Sequence, residues 1–591
     1  MRRWWRVMPA WLALLPWAAP AQQTDVIMRA LVDEMARSRS LKVMNVAQPY
    51  YFEYALHDGQ NFSAAATLGA LLHARQVRYR LPRVQVRVGD YQADDTSFAG
   101  TGFYSGTRYD VNEFPLDDSY GVLAQHLWLA TDMAYKAAIQ GYALKRAALR
   151  NVTVSEPLAD FYRTAPITKM TDARVRPFDE AAWTARVRRL SAVFSNYPVV
   201  TQSSVSFEGG QGVMYLVTSE GTRMRIPEGS VALRVRASAL APDGMRLRDA
   251  VVFHAREAER IQPDAELERG VKEVADNLAA LAAAPVGEAY SGPVLFEGLA
   301  AAQMFAEVLG KNLAVPRKPV MPPGRTFPFP ASELENKIGS RILPEWIDVV
   351  DDPAEASWRG RPLFGHYEAD LEGVPAERVN LVEKGVLKSF LLTRQPVKGF
   401  ERSNGHARLP GNFGAKAAGI GNLFVRASGG VPAAELRKKL IDACRERNKP
   451  YGIVIRKMDF PSSASLDELR RVLAEMAQAG GGTRPVSLPA MVYRVYQDGR
   501  EELVRGLRFR GLNTRSLKDI AAASSDVAVF DFFDNNAPFA LMGGAGFVSE
   551  ASVVAPSVLI DDLELERAND ELPKLPLAPA PSLDAGTVAK R

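Results

Sequence analysis

A carboxylate marks the most chemically suggestive stretch of the chain, SGPVLFEGLAAAQMFAEVL at residues 291–309. Small residues and an apolar run precede Glu297, and Ala-rich sequence typical of a helix follows it. Helices that bind a metal ion often present a His-Glu pair and a second His on one face. Here Phe296 stands before the acid, and the stretch contains no His. Three interpretations are open: a site with unusual ligands, a site without its ligands, or ordinary core.

The histidines and the single cysteine do not supply an obvious replacement. No two histidines are three or four residues apart, so a helical zinc motif is absent; the six are His57, His73, His126, His254, His366 and His406. His366 lies beside Glu368 and Asp370, where a solvated turn is the favoured interpretation. His406, in SNGHARLP, is the more interesting candidate for catalysis. Cys444 falls on the apolar stripe of a predicted helix, which favours a core thiol over a nucleophile.

The hydrophobic periodicity of the chain predicts a series of helices and antiparallel strands. Strand-rich sequence covers about 50–115, 199–254 and much of the chain after 338. Helices are predicted over about 24–40, 119–151, 178–195, 263–284, 432–447 and 465–479. Turns are predicted at Asp58-Gly59, Glu220-Gly221, Glu228-Gly229, Asp243-Gly244, Lys384-Gly385 and Asp498-Gly499. A Pro-Val-Gly break at 285–287 separates two predicted α+β domains.

Length, charge and the chain ends set further limits. The 591 residues exceed a single core, and the two domains are expected at 22–285 and 286–570, before a Pro/Ala-rich disordered tail at 571–591. Residues 1–21 read as a signal peptide, which predicts an exported, periplasmic protein. Removing their three Arg from the 73 basic residues leaves 70 against 68 acidic ones, so a nucleic-acid partner is not expected. We find no other run long enough to span a membrane.

Five stretches of the second half together resemble the TldD/PmbA family of metallopeptidase-related proteins. In order they are GPVLFEGLAAAQMFAEVL, IGSRILPEWIDVVDDP, DLEGVPAERVNLVEKGVLKSFLLTR, SNGHARLPGNFGAKAAGIGNLFVRASGG and APSVLIDDLEL, within roughly 286–566. The resemblance implies a two-domain α+β protein with a β-rich C-terminal domain and a cavity for peptides. It also implies an oligomer, since peptidase members of the family pair with a second, metal-free member.

In the peptidase members, the helix after the PVL strand carries His-Glu-x-x-x-His, and a Cys in a Gly-rich C-terminal segment completes a zinc site. Carried over to this chain, the two His positions are expected at Phe296 and Ala301, and the Cys position near Met542 or Gly543. Glu297 alone is retained. One carboxylate cannot replace three zinc ligands, so no cofactor is expected.

These observations favour an exported, peptide-binding or non-catalytic subunit of a peptidase assembly, whose partner is another TldD/PmbA-family chain or a second copy. Asn404, Gly405 and Arg408, in the loop around His406, are the candidate peptide-binding residues. The alternative is an active peptidase, with or without zinc, that uses a non-standard site around Glu297, His366 and His406. A carbohydrate- or surface-binding scaffold is a third hypothesis, which an aromatic content of 9% does not favour.

Overall fold

The structure is a computed structural model of the 591-residue chain. It describes residues 25–40, 48–100, 114–150, 158–172, 177–322, 324, 331–411, 414–460, 486–534, 548–568, 575–576 and 578. The predicted signal peptide, the predicted helix at 465–479, the positions Met542 and Gly543 and nearly all of the predicted tail lie outside these ranges. Within them, no helix combines the length and the apolar composition that crossing a bilayer requires.

Four of the described α-helices begin at a capping side chain or directly after a proline. Asp25 accepts a hydrogen bond from the amide of Met28 at 2.9 Å, and Asp179 accepts one from Ala182 at the same distance. The helices are α1 (Val26–Arg39), α2 (Tyr120–Leu149), α3 (Glu180–Ala192), α4 (Asp264–Ala283), α5 (Leu299–Met304) and α6 (Ala433–Glu446). Five of the predicted helices are thus confirmed to within a few residues: α1, α2, α3, α4 and α6.

The first half of the chain forms one long-stranded sheet. Its strands lie in the order β2-β1-β4-β5-β3, with β6 also paired to β5. They are β1 (Pro49–Thr67), β2 (Ala70–Val88), β3 (Thr168–Met170), β4 (Val200–Thr218), β5 (Arg223–Leu240) and β6 (Arg246–Ala255). Helices α1 and α2 cover one end of these strands, and α3 and α4 cover the other end.

The second half forms an eleven-stranded mixed sheet among the described residues. The main order is β12-β11-β8-β15-β21-β7-β16-β17-β18, and β19 and β20 also pair with β21. These strands are β7 (Tyr290–Phe296), β8 (Ile347–Asp351), β11 (Val379–Glu383), β12 (Val386–Leu387), β15 (Asn422–Ala427), β16 (Tyr451–Met458), β17 (Pro489–Tyr496), β18 (Glu501–Val504), β19 (Leu507–Arg510), β20 (Ile520–Asp534) and β21 (Ser549–Arg567). Two small hairpins form separate two-stranded sheets: β9 (Ser357–Trp358) with β10 (Arg361–Pro362), and β13 (Ala407–Pro410) with β14 (Lys416–Ala418).

Helices cover both faces of this second sheet near β7. Alternation along β7 sends Leu295 to the face covered by α6, where Leu440 packs, and sends Phe296 to the opposite face with α5. The largest described core lies on the α5 face. The architecture is therefore α+β in two sheets, as the sequence predicts.

Buried charges join the two halves. Arg394, from the second half, is fully buried and donates to Glu220 at 2.7 Å and to the carbonyl of Tyr162 at 2.8 Å. Its guanidinium also lies 3.9 Å from the centroid of the Phe161 ring. Because a buried guanidinium needs all of these partners, the contact fixes the halves to each other.

Two of the six predicted turns are wrong. Asp58-Gly59 and Glu228-Gly229 lie inside β1 and β5, whereas the other four Gly-containing pairs do connect strands. Crowding explains Gly59, because a Cβ there would meet the Gln211 carbonyl oxygen at 2.6 Å. Close approach of neighbouring backbone, rather than reversal of the chain, accounts for these glycines.

Candidate functional site

The stretch that suggested a metal site is a strand followed by a helix. Phe296 is the last residue of β7, is fully buried and stacks on Phe509 with ring centroids 5.7 Å apart. The chain then turns through Gly298, at a φ of 54°, and α5 begins at Leu299. Ala301 is likewise fully buried in the core. Neither residue offers a metal-binding atom, and both serve as packing.

Glu297 lies between β7 and α5, and arginine side chains hold its carboxylate. Its amide bonds the carbonyl of Ile455, and its carboxylate accepts from Arg437 at 2.9 Å and from Arg456 at 3.1 Å. Both arginines also pair with Glu501. Burial opposes ionisation of Glu297, but the two guanidiniums outweigh it and lower its pKa. A carboxylate held ionised in this way is a poor general base.

The helix itself carries a second match to the family spacing. The first, second and sixth positions of His-Glu-x-x-x-His fall on Ala306, Glu307 and Lys311, all after α5 has started. Residues Phe305–Leu309 form a π-helical turn, whose hydrogen bonds join residues five apart. Such a turn brings position 311 back towards the face of position 306. The structure thus favours this register over the one at Phe296, because Phe296 and Glu297 precede the helix.

Glu307 occupies a buried site without a cationic partner among the described residues. It accepts from the Gln303 side chain at 2.9 Å and from the amide of Ser487 at 2.7 Å. Burial raises its pKa to about 7, although these two donors oppose the rise. Glu307 was not among the residues predicted from the sequence. It could have been found because it stands ten residues after Glu297 and also fits the Glu position of the family motif.

Lys311 occupies the last position of this spacing and forms an ion pair with Asp534. Both side chains are nearly buried, at 11% and 6% exposed. Asp534 is the last described residue of β20, directly before the Gly-rich segment where the resemblance expects a Cys. The pair therefore joins the helix to the start of that segment, and its ammonium group opposes the entry of a metal cation.

The histidines of the alternative site do not meet Glu297. His406 is fully buried; its Nε2 lies 3.2 Å from Asp351 and its Nδ1 2.9 Å from the carbonyl of Asn404. His366 contacts the carbonyl of Pro353 at 2.9 Å through Nδ1.

Strand register sets the separation. Asp351 on β8 pairs with Leu423 on β15, and Leu423 pairs with Val553 on β21. Phe296, the residue before Glu297, pairs with Val558 on the same strand β21. Three strand spacings and this offset place Asp351 roughly 20 Å from Glu297. The structure does not bring the alternative catalytic set together.

The candidate peptide-binding residues are mainly structural. The Asn404 side chain bridges the amide of Leu392 and the carbonyl of Phe390, at 2.8 and 2.9 Å. Gly405 has a φ of 76° and no space for a Cβ. Arg408 lies 3.9 Å from the Tyr367 ring centroid. Of the three, only Arg408 presents a group that a peptide could use.

Arg408 belongs to a group of charges at the junction between the halves. Its guanidinium contacts Glu550 at 3.3 Å, which also pairs with Arg256 of the first half at 3.2 Å. His57 and Glu228, 2.8 Å apart, lie on the first sheet near the same arginines. The junction between the halves therefore contains both acidic and basic side chains, and each acid contacts a basic group.

The described residues do not fit zinc. No group of three His, Cys, Asp or Glu in the described ranges could hold a metal ion. At either register the helix offers at most one carboxylate, and at Lys311 it offers a cation. The acids Asp370 and Glu372 do not form a cation site either: Asp370 accepts three backbone N–H bonds, from Glu372, Val374 and Ala407. We therefore derive no step through a metal.

Comparison with known proteins gives the class. Residues 289–457 match the PmbA/TldA metallopeptidase C-terminal domain. A metalloprotease of Archaeoglobus fulgidus is 37% identical over 81 residues, or 14% of this chain and 18% of the relative. One of Methanocaldococcus jannaschii is 33% identical over 97 residues, or 16% and 19%. The match thus spans less than a fifth of the length of these relatives.

Two solved structures share the fold at low identity. One, from Thermotoga maritima and described as a candidate modulator of a DNA gyrase, has a TM-score of 0.55 at 15% identity, covering 91% of this chain and 99% of that one. TldE from Thermococcus kodakarensis has a TM-score of 0.53 at 12% identity, covering 91% and 100%. Fold and matched domain together define a metallopeptidase-related protein. Residues 289–457 thus carry the C-terminal domain of the TldD/PmbA family, and the chain as a whole shares the fold of these two structures.

Proposed function

We propose that this chain is a metal-free, non-catalytic subunit of a peptidase assembly, which binds peptide or completes the peptide cavity of a ligand-bearing TldD/PmbA partner. The observation that carries the proposal is the Lys311–Asp534 ion pair. It joins the helix to the start of the Gly-rich segment, the two elements that supply zinc ligands in the family's peptidases. Phe296 and Ala301, at the other register, are packed core.

The rest of the helix supports the same conclusion. Glu307, the acid of the register that the helix favours, is buried beneath Gln303 and Ser487. The nearby carboxylate of Asp459 is paired with Arg248. A general base in a metallopeptidase must reach a water on the metal. Here its hydrogen bonds tie the helix to the segment after β16 instead, which is an architectural role.

Purified mature protein tests the proposal directly. We expect substoichiometric zinc by elemental analysis and no cleavage of an unfolded casein substrate, with or without a chelator. Stoichiometric zinc together with chelator-sensitive cleavage would overturn it. Cleavage that resists chelator and is lost in a His406→Ala variant, but kept in a His73→Ala control, would establish the alternative peptidase instead.

The partner and the location are tested separately. A pull-down with the tagged mature chain, using a TldD/PmbA homologue that carries His-Glu-x-x-x-His, should retain that homologue. Its peptidase activity should rise in the complex, since the proposal assigns this chain half of the cavity. For export, fractionation should find the chain outside the cytoplasm with residues 1–21 removed, and deletion of those residues should keep it inside.

A further inference from the structure

The outer edge of β2 has no described strand beside it and is exposed over about half of its length. β2 ends the first sheet, and no described strand pairs with it on the side away from β1. Its residues 70–78 are exposed, whereas the remainder of the strand becomes progressively buried. A strand edge of this kind presents backbone N–H and C=O groups to solvent, and such edges accept an added strand.

Apolar side chains accompany the free backbone. Leu71 is 42% exposed, Leu72 57% and Val77 45%. Register with β1 places Gln76 opposite buried Phe62, so the even-numbered side faces helix α3. His73, Arg75 and Val77 lie on the opposite, uncovered face, where side chains of an incoming strand could pack beside Val77. The register shifts at Leu72, so Leu71 pairs with buried Ala66 and belongs to the α3 side.

The charge of this edge selects its occupant. Between residues 70 and 78 the strand carries His73, Arg75 and Arg78 and no acid. Arg78 lies 3.8 Å from Asp58, but Arg75 forms no ion pair with any described residue. Two copies of this edge would bring these like charges together, which disfavours cross-strand pairing. An acidic strand would meet them favourably.

We propose that the β2 edge from Ala70 to Arg78 binds an extended acidic segment of another polypeptide by β-strand addition. Main-chain hydrogen bonds supply the pairing, and Arg75 with His73 selects acids on one face of the added strand. The surface belongs to the first sheet and makes no use of the helix after β7. It is therefore independent of the function proposed above.

The probe is a fluorescein-labelled eight-residue peptide of alternating Glu and Val, titrated with the mature chain by fluorescence anisotropy. We expect saturable binding that weakens when NaCl rises from about 50 mM to about 500 mM. The matched peptide of alternating Lys and Val should not bind. An Arg75→Glu variant should bind the acidic peptide roughly tenfold more weakly, because one favourable charge becomes repulsive. Arg515→Glu, an equal change at an exposed site in the second half, should bind like the wild type.

A backbone-methylated version of the acidic peptide separates strand addition from simple attraction. Methylation of every amide keeps the charge but removes the N–H donors, so we expect binding to be lost. Equal binding of this version, or unchanged binding by Arg75→Glu with native circular dichroism, would overturn the proposal. So would a wild-type dimer, seen by light scattering, that Val77→Lys dissociates, because a second copy would then occupy the edge.

Discussion

Glu307 allows the clearest quantitative test of the reasoning about the helix. In the native protein, burial raises its pKa to about 7, from an ordinary value of 4.5. The native state then binds the proton more tightly than the unfolded chain. Below about pH 4.5 both states are protonated and the residue contributes nothing to the pH dependence. As pH rises from about 4.5 to 7, stability falls, and above this window the loss is constant.

The expected size follows from the two pKa values. Their difference corresponds to about 3 kcal/mol of stability lost across the window. A Glu307→Gln variant removes the titration while keeping the shape of the side chain. It will also disturb the hydrogen bonds from Gln303 and Ser487, at about 1 kcal/mol, but this cost does not vary with pH. Relative to the wild type, the variant should therefore gain about 3 kcal/mol between about pH 4.5 and 8.

Thermal unfolding of both proteins across this pH range is the assay. The gain corresponds to an increase of about 2 to 5 °C in the difference between the two melting temperatures, for a domain or chain of this size. Glu297→Gln is the matched control with the opposite sign. Its carboxylate has a lowered pKa, so the native state gains from ionisation, and the variant should lose stability at neutral pH and recover on acidification. A flat difference for Glu307→Gln would show that Glu307 titrates normally, and would refute its burial as described.

Three further experiments, two on variants and one on the unchanged protein, test other parts of the structure. Arg394→Met should leave Glu220 buried without its partner and lower the free energy of unfolding by about 3 to 5 kcal/mol. In calorimetry the two halves should then unfold in separate transitions. A single transition, unchanged from the wild type, would contradict the role of Arg394 in joining the halves. Gly59→Ala should destabilise the first half by more than about 1 kcal/mol in urea unfolding, because its Cβ would meet the Gln211 carbonyl at 2.6 Å; a stabilised variant would contradict the crowding. Cys444, whose thiol pKa burial raises, should react with a thiol reagent only after denaturant is added, and fast reaction of the native protein would show an open site.

Helix positions were predictable because each helix repeats its apolar stripe over several turns. Trp183, Val187 and Leu190 recur at helical spacing, and all three are buried in α3. The register of the suggested metal site was not predictable in the same way. A short apolar run such as PVLF fits a buried strand or a helix equally well, and only the pairing of β7 with β16 and β21 decides between them.

The partners of Glu297 could not be predicted from the sequence either. Arg437 lies 140 residues away and Arg456 lies 159 residues away. The local sequence around Glu297 contains nothing that shows that α6 and β16 pack beside β7. The two turns were wrongly predicted because they lie inside unusually long strands, β1 and β5. A strand of 19 residues is far longer than usual, so Gly59 inside β1 resembled the end of a shorter strand.

Under the function proposed above, the Lys311–Asp534 pair would explain how the framework persists without a metal. In the family's peptidases, zinc joins a helix to a distant Gly-rich segment, so its loss would leave the two elements unconnected. Here a nearly buried ion pair connects the helix to the start of that segment. A buried pair is costly to break from one side, because the remaining charge stays desolvated. In the proposed non-catalytic subunit, the contact that opposes a metal cation would therefore also hold the helix beside the start of that segment, as shaping a cavity for a partner requires.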